Sequence, residues 1–353
     1  MANIFDVAKL AGVSKTTVSR VINNQEPIRL STRERIVKAM KTLDYSPNYF
    51  AKGMRTNKTR TIGIVVPDIA NSFYTEMLRG IEDITGSENF MNILCSTNES
   101  ADRELWYLEN LSNRSIDGLI MCTWSKEQEN LNYLEKLGQR IPIVFMDYIM
   151  KSDPVSYVIT DGFNSSRFTT NYLIGIGKKR IAYIRSSSRF SAGYERFLGY
   201  KTALMDNNVI MDESIVFEGE YHKNTGYEGA EYFMALSHAP DVIMAASDIM
   251  AVGAIQYLKE HGIRIPEDVS VIGYDNMELC TLLDPALSTI SQPIRRLGKT
   301  AADILIKCIS DSTYPKQQIV LENELIIRNS LDPILKGEKI IPIPGNWTME
   351  RRN

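Results

Sequence analysis

Apolar residues in the first sixty positions recur at helical spacing in three short segments. Beyond Thr61 they gather into short continuous runs separated by amphipathic stretches. In the first segment Phe5, Val7, Ala8 and Ala11 form the stripe of a helix over Ile4 to Ala11. Asn3 stands before it as an N-cap, with Asp6 at the third helical position near the positive end of the helix dipole. Gly12-Val13 predicts a tight turn, and Ser14 caps a second helix running to about Asn23. Val18, Val21 and Ile22 point inward there, and Lys15, Thr16, Thr17, Ser19 and Arg20 outward. Ser31, with Glu34 three residues on, predicts a capping box opening a third helix through about Leu43. Two short helices on a Gly turn, braced by a third, form a helix-turn-helix unit, a candidate reader of the DNA major groove.

Charge sharpens that picture. Residues 1–60 hold 12 Lys/Arg against 4 Asp/Glu, a balance of +8, so the other 293 residues carry −11 of the overall −3. A basic head on an acidic body is the distribution expected where one segment alone meets a polyanion. The small hydroxyls of Ser14, Thr16 and Thr17 suit close approach to a groove, and Arg20 one turn later can reach a guanine edge with two hydrogen bonds.

The motifs Asp6-Val7-Ala8, Ala11-Gly12-Val13-Ser14, Thr17-Val18-Ser19-Arg20-Val21 and Tyr45-Ser46-Pro47-Asn48 resemble the DNA-binding head of the LacI/GalR family in order and spacing. That resemblance implies that Lys15, Thr16 and Arg20 hold base-reading positions, with Thr17 beside them. It also implies a hinge helix over 48–55 that enters the minor groove as a dimeric pair. There Ala51 packs near the groove floor, Met54 replaces the usual Leu wedge, and Lys52 and Arg55 meet phosphates. Gly53 costs about 1 kcal/mol relative to Ala in a helix. A helix this short is unstable alone, so residues 46–60 are expected to fold on DNA.

From Thr61 onward, apolar strands alternate with helices in two series, the pattern of parallel sheets covered on both faces. Ile62–Val66, Met91–Cys95, Gly118–Cys122 and Ile143–Met146 belong to the first series. Arg180–Arg185, Asp241–Ala245 and Val269–Gly273 belong to the second. A helix near 73–86, with Met77, Leu78, Ile81 and Ile84 inward, follows the first strand. The fold expected is α + α/β: a helix-turn-helix head with hinge helix, then a body of two doubly wound α/β subdomains. The body resembles the periplasmic-binding-protein-like body of the same family, so the resemblance spans about residues 3–330. It implies a head at 1–46, hinge and linker at 47–60, and an effector-binding body at 61–330. Within that body, 61–160 and 292–320 make the N-subdomain, and 161–291 and 321–330 the C-subdomain. Residues 331–353 are left as a C-terminal extension.

A ligand site in such a body lies between the C-terminal ends of the strands, and polar groups stand there. Asp147 closes the strand over 143–146. Asn71, Phe73 and Tyr74 follow the first strand, where the aromatic rings can stack on a sugar face. By the resemblance, Arg196 matches the ligand-binding Arg, Asp275 a site carboxylate, and Ser247 a position that is often Asn in sugar-binding members. Tyr221 lies on a loop near the pocket. His222 beside it reads as a solvated loop histidine, and Asp161 as a structural polar group. Carboxylates and a guanidinium grip adjacent hydroxyls in a fixed orientation, which points to a sugar or sugar phosphate. Phe190 and Ala192 stand where purine-binding members carry Arg and Thr, which argues against a purine.

The four cysteines, Cys95, Cys122, Cys280 and Cys308, are far apart and read as buried thiols of a reducing compartment. No secretory signal, membrane segment or metal-ligand spacing is visible, so a cytoplasmic protein without cofactor or metal is expected. Glycine-rich phosphate loops, zinc motifs and a nucleophile elbow are missing, and His222, His238 and His261 are mutually distant, which disfavours an enzyme. A transport-type solute receptor shares the body fold but has no DNA-binding head. A palindromic operator needs two heads, so a homodimer is expected. The three prolines of 331–353 preclude a tetramerising leucine heptad. An alternative corepressor is a phosphorylated carrier protein docking on the N-subdomain, since Asp68-Ile69-Ala70-Asn71 resembles that branch.

Overall fold

A computed structural model describes residues 2–22, 28–45, 58–122, 127–147, 155–187, 191–332 and 334–345. The chain divides into two compact units, Met1–Thr59 and Arg60–Asn353.

In the first unit, α1 (Ile4–Ala11) opens on a reciprocal capping box. The Asn3 side chain accepts from the amides of Phe5 and Asp6, and Asp6 Oδ2 accepts from the Asn3 amide at 2.9 Å. Gly12, at φ 62°, takes the left-handed turn that side chains resist. The Ser14 hydroxyl then accepts from the Thr17 amide at 3.1 Å and opens α2 (Lys15–Ile22). The core comprises Val7, Ala8, Ala11, Val18, Val21, Ile36 and Ala39. Phe5, placed in the α1 stripe by its spacing, is instead 61% exposed, with Ile4 packing in its stead and the Lys15 ammonium 4.4 Å from its ring centre. The capping box expected at Ser31 does not form. The third helix, α3 (Leu30–Thr42), starts earlier, with Arg29 as its uncapped N-terminal residue. Ser31 is already in helical backbone, two residues past that N-cap.

The second unit holds two sheets. The first has six strands, all parallel, in the order β11-β5-β4-β3-β1-β2. They are β1 (Thr61–Val66), β2 (Met91–Ser96), β3 (Gly118–Met121), β4 (Ile143–Met146), β5 (Ser156–Thr160) and β11 (Gln318–Leu321). The second has seven, in the order β13-β12-β10-β9-β8-β6-β7. These are β6 (Ile181–Ser186), β7 (Val216–Gly219), β8 (Val242–Ala245), β9 (Ser270–Asp275), β10 (Ser288–Ser291), β12 (Glu324–Ile327) and β13 (Lys339–Pro342). β12 runs antiparallel to both β10 and β13, and the rest is parallel.

Helices cover the sheets. On the first, α4 (Ser72–Thr85) packs beside α11 (Ile294–Ser310), and α5 (Ala101–Asn113) beside α6 (Gln128–Gly138). On the second, α7 (Gly162–Gly175) pairs with α8 (Ser191–Asp206), and α9 (Lys223–Met234) with α10 (Asp248–Glu260). The chain passes between sheets after β5, after β10 and after β11. The tail, set apart from the body at residue 331, supplies β13 to the second sheet. Ile343 is buried in that core, and Ile341 packs partly against it, while Ile340 stays exposed.

Candidate functional site

The outward face of α2 carries the head's candidate chemistry. Lys15, Thr16 and Arg20 are exposed there. Thr17 is half-buried, and its hydroxyl lies 2.9 Å from Ser14 Oγ, so it also serves the local cap. Ala51, Lys52, Met54 and Arg55 lie outside the described residues.

In the body, the C-terminal ends of parallel strands converge, because each strand must leave its sheet on that side before its crossover helix. Asp147 follows β4 at φ 57°, and Asp275 ends β9 at φ 122° with Asn276 next at φ 60°. Left-handed backbone at non-glycine residues is uncommon, and three such residues at the ends of β4 and β9 mark a strained, fixed geometry. Arg196, on α8, is 5% exposed. Its Nη1 donates to the Ala246 carbonyl at 2.6 Å and lies 3.8 Å from Asp275 Oδ1, and its guanidinium sits 3.7 Å from the Tyr274 ring centre. Gln292 Nε2 donates to Asp275 Oδ1 at 2.7 Å, while Thr160 Oγ1 donates to Gln292 Oε1 at 2.5 Å. A cluster of hydrogen bonds thus joins the end of β5, the end of β9 and the chain leaving β10. Ser72, at the start of α4, donates to Met277 Sδ at 2.9 Å and ties the two sheets' loops together a second time.

The electrostatics show which groups face one another. Burial raises the Asp147 carboxyl, and the Arg196 charge opposes the rise. Burial likewise raises Asp275, with Arg196 opposing and the buried Asp248 reinforcing. Burial also raises the Tyr74 hydroxyl, with contributions from Asp147, Tyr221 and Asp275. Arg196 is penalised by burial, yet Tyr221, Tyr274, Asp275 and Asp147 together hold its proton more firmly than usual. Tyr74 and Asp147 from the first sheet therefore share one field with Arg196, Tyr221 and Asp275 from the second. Asp147 and Tyr221 keep partial contact with solvent, as cleft-lining groups do.

Of the sequence-selected residues, the fold brings together Tyr74, Asp147, Arg196, Tyr221 and Asp275. The others are engaged locally. The Asn71 side chain caps α4 by accepting from the Phe73 amide at 3.0 Å. Phe73 is buried in the apolar core beneath the first sheet's helices, edge-on to Tyr74. Ser247 is buried and caps α10 through the Met250 amide. Asp161 caps α7, and His222 is exposed. Phe190 lies outside the described residues, and Ala192 is in the first turn of α8.

Sequence reading missed Tyr274, Gln292, Thr160 and Ser186. Tyr274 was visible as the last apolar position before Asp275. Thr160 and Gln292 are brought near only by the crossovers between sheets, whereas Ser186 ends β6 and meets Gly193 and Tyr221 within the second sheet's own half. A Cβ added at Gly193 would lie 1.7 Å from Ser186 Oγ and 2.8 Å from Tyr221 Oη, so glycine is what lets the first turn of α8 meet this corner.

A helix-turn-helix head and a two-sheet body with buried charges at its converging strand ends define a DNA-binding transcriptional regulator with a receptor body. Residues 3–48 match the family described as bacterial regulatory proteins, lacI family, and residues 170–331 match the periplasmic binding protein-like domain. The chain is 35% identical over 332 residues to the HTH-type transcriptional repressor PurR of Vibrio campbellii, covering 94% of this chain and 99% of that one. It is 36% identical to PurR of Vibrio atlanticus over the same shares. Among solved structures, a complex of the transcriptional regulator CelR with cellobiose is 29% identical at TM-score 0.71, covering 94% of this chain and 100% of that one. A LacI family regulator from Enterococcus faecium with bound ribose is 31% identical at TM-score 0.70, covering 78% and 100%. The Lac repressor bound to ONPG in its repressed state is 25% identical at TM-score 0.84, covering 93% and 99%. The chain belongs to the LacI family of bacterial transcriptional regulators; it is a repressor-type DNA-binding protein and not an enzyme. Among the described residues, no helix is long and apolar enough to cross a membrane.

Proposed function

We propose that the body binds a small hydroxyl-rich effector, a sugar, in the cleft lined by Tyr74, Asp147, Arg196, Tyr221 and Asp275, and that this binding resets the head's affinity for a palindromic operator. The observation that carries the reading is Arg196. It is fixed by the Ala246 carbonyl and the Tyr274 ring, and its charge acts on carboxylates from both sheets. A fixed guanidinium between two carboxylates presents donors and acceptors at once, which neighbouring hydroxyls satisfy in pairs. Support comes also from the CelR complex with cellobiose and the E. faecium regulator with ribose.

The chain acts as a cytoplasmic homodimer, its two heads reading two half-sites. Lys15, Thr16 and Arg20 face the bases, with Thr17 at the helix start. Ala51, Lys52, Met54 and Arg55 form the minor-groove hinge. The effector moves the equilibrium only by its differential affinity for open and closed cleft. Calorimetry of the full chain against neutral sugars, their phosphates, purine bases and a phosphorylated carrier protein tests this. A saturable heat with a sugar that vanishes in Arg196→Met is the expected result. Heat with the carrier protein alone would overturn it.

A further inference from the structure

We propose that the C-terminal strand is a positioning element of the effector cleft: Glu338 holds Asp275 in place through Arg328 and Asn276, and Ile343 holds Arg196 in place through Asn323 and Tyr274. The proposal rests on the effector reading above. The match to the periplasmic binding protein-like domain ends at residue 331, so both anchor points lie beyond it.

The first relay starts where Gly337, at φ 93°, turns the chain into β13. Glu338 Oε2 accepts from Arg328 Nε at 2.9 Å and lies 2.7 Å from Arg328 Nη2. The Arg328 side chain is almost wholly buried, and its other donors go to the Leu287 carbonyl and to Asn276 Oδ1, both at 2.9 Å. Asn276 is the left-handed residue directly after Asp275. Its amide donates to Thr289 Oγ1, its side-chain nitrogen donates to Ser291 Oγ, and the next amide, Met277, donates to Asp248 Oδ2 at 2.8 Å. Two successive left-handed residues persist only where surrounding contacts over-determine them. Arg328 is the one positive charge among these contacts, and Glu338 fixes its fork.

The second relay starts at the other end of the strand. The Ile343 amide donates to the Asn323 carbonyl at 3.2 Å, with the Ile343 side chain buried in the core of the second sheet. Asn323 Nδ2 donates to the Tyr274 hydroxyl at 3.0 Å and to Ser165 Oγ at 2.8 Å. The Tyr274 ring is the surface on which the Arg196 guanidinium lies. One strand therefore reaches, from its two ends, the supports of both charged groups that the second sheet contributes to the cleft. The Ile343–Asn323 bond continues the β12–β13 register, whereas a strand that merely closed a sheet edge would not need the buried Arg328–Glu338 fork.

The test is hydrogen–deuterium exchange on the full, ligand-free chain, comparing the parent with Glu338→Gln and Glu338→Asp. The peptide spanning 274–277 should exchange about tenfold faster in Glu338→Gln, equivalent to ~1.4 kcal/mol of local opening. Peptides of the six-stranded sheet should be unchanged, and Glu338→Asp should restore most of the protection. Unchanged exchange at 274–277 would overturn the proposal. Equal acceleration in both sheets would also overturn it, since Glu338 would then be a general stabiliser. Because no ligand is present, this outcome is independent of the effector reading. That reading fails separately if no sugar of the calorimetric panel protects the same peptide.

Discussion

Replacing Arg196 by Met removes the cation that, among the described residues, acts on both Asp147 and Asp275, while keeping much of the side chain's volume. The variant loses the 2.6 Å charged hydrogen bond to the Ala246 carbonyl, the 3.8 Å approach to Asp275 and the stacking on Tyr274. Removing one partner of a buried charged pair costs roughly 3–5 kcal/mol. Here the cost has a ceiling, because a carboxyl already raised by burial takes up a proton instead of remaining as an unpaired anion. We therefore expect a loss at the lower end, about 3 kcal/mol at high pH, equivalent to roughly 6–12 °C in Tm for a unit of this size. The pH dependence carries the sign. Arg196 favours the ionised carboxylates, so its contribution is present where Asp275 is ionised and fades as pH falls through that group's raised folded value. Thermal unfolding of parent and variant at about pH 8.5 and about pH 5 should show the deficit shrinking by at least half at the acidic end. A deficit that is constant with pH, or absent at both, would refute the electrostatic account of the cleft.

Other consequences follow from the same geometry. Arg20→Ala should lower preference for the operator over random DNA by about 10–100-fold, as expected for loss of a bidentate base contact of ~1–3 kcal/mol; competition binding across sequences reads this, and a uniform loss would reduce Arg20 to a phosphate contact. Gly193→Ala drives a methyl into Ser186 Oγ and toward Tyr221 Oη, so effector affinity should fall about tenfold or more, with Ser186→Gly in the same chain recovering part of it. Asp248, wholly buried and accepting from Thr289 Oγ1 and the Met277 amide, is raised by burial. A raised carboxyl makes the folded state bind the extra proton, so its stabilisation is full below about pH 4 and declines as pH rises through the folded value. Asp248→Asn should flatten that decline between about pH 4 and about pH 6 in thermal melts, and an unchanged slope there would exclude Asp248 as its source.

The head was almost fully legible because its signals are local. Asn3 and Asp6 cap each other within four residues, Gly12 turns the chain, and Val18 and Val21 repeat at helical spacing. Spacing alone misleads at two places: Phe5 has the right period but stays 61% exposed, and Ser31 has the right motif two residues past the N-cap. In the body, continuous apolar strands announced parallel sheets, and polar residues at strand ends announced Asp147 and Asp275. Local hydrogen bonds took up others of that kind, since Asn71 and Ser247 stand where helices need N-caps. Thr160, Gln292 and Asn323 stand at or beside the crossings that the resemblance implies near 160, 292 and 321, but no sequence period encodes which of their side chains meet there. The tail's prolines exclude a leucine heptad but do not say where the segment packs. Antiparallel pairing of Lys339–Pro342 with Glu324–Ile327 makes it an edge strand, where proline is tolerated.

The most direct test of the account is operator binding by the full dimer, measured by fluorescence anisotropy on a palindrome recovered from genome-wide mapping of bound DNA. The titrant is the sugar that gives heat in calorimetry. The account predicts that the sugar shifts operator affinity by about 5–150-fold, the usual range of allosteric coupling, in the parent chain, and that Arg196→Met binds the same operator without responding. An operator affinity indifferent to the bound sugar, or an Arg196→Met chain that responds like the parent, would contradict it.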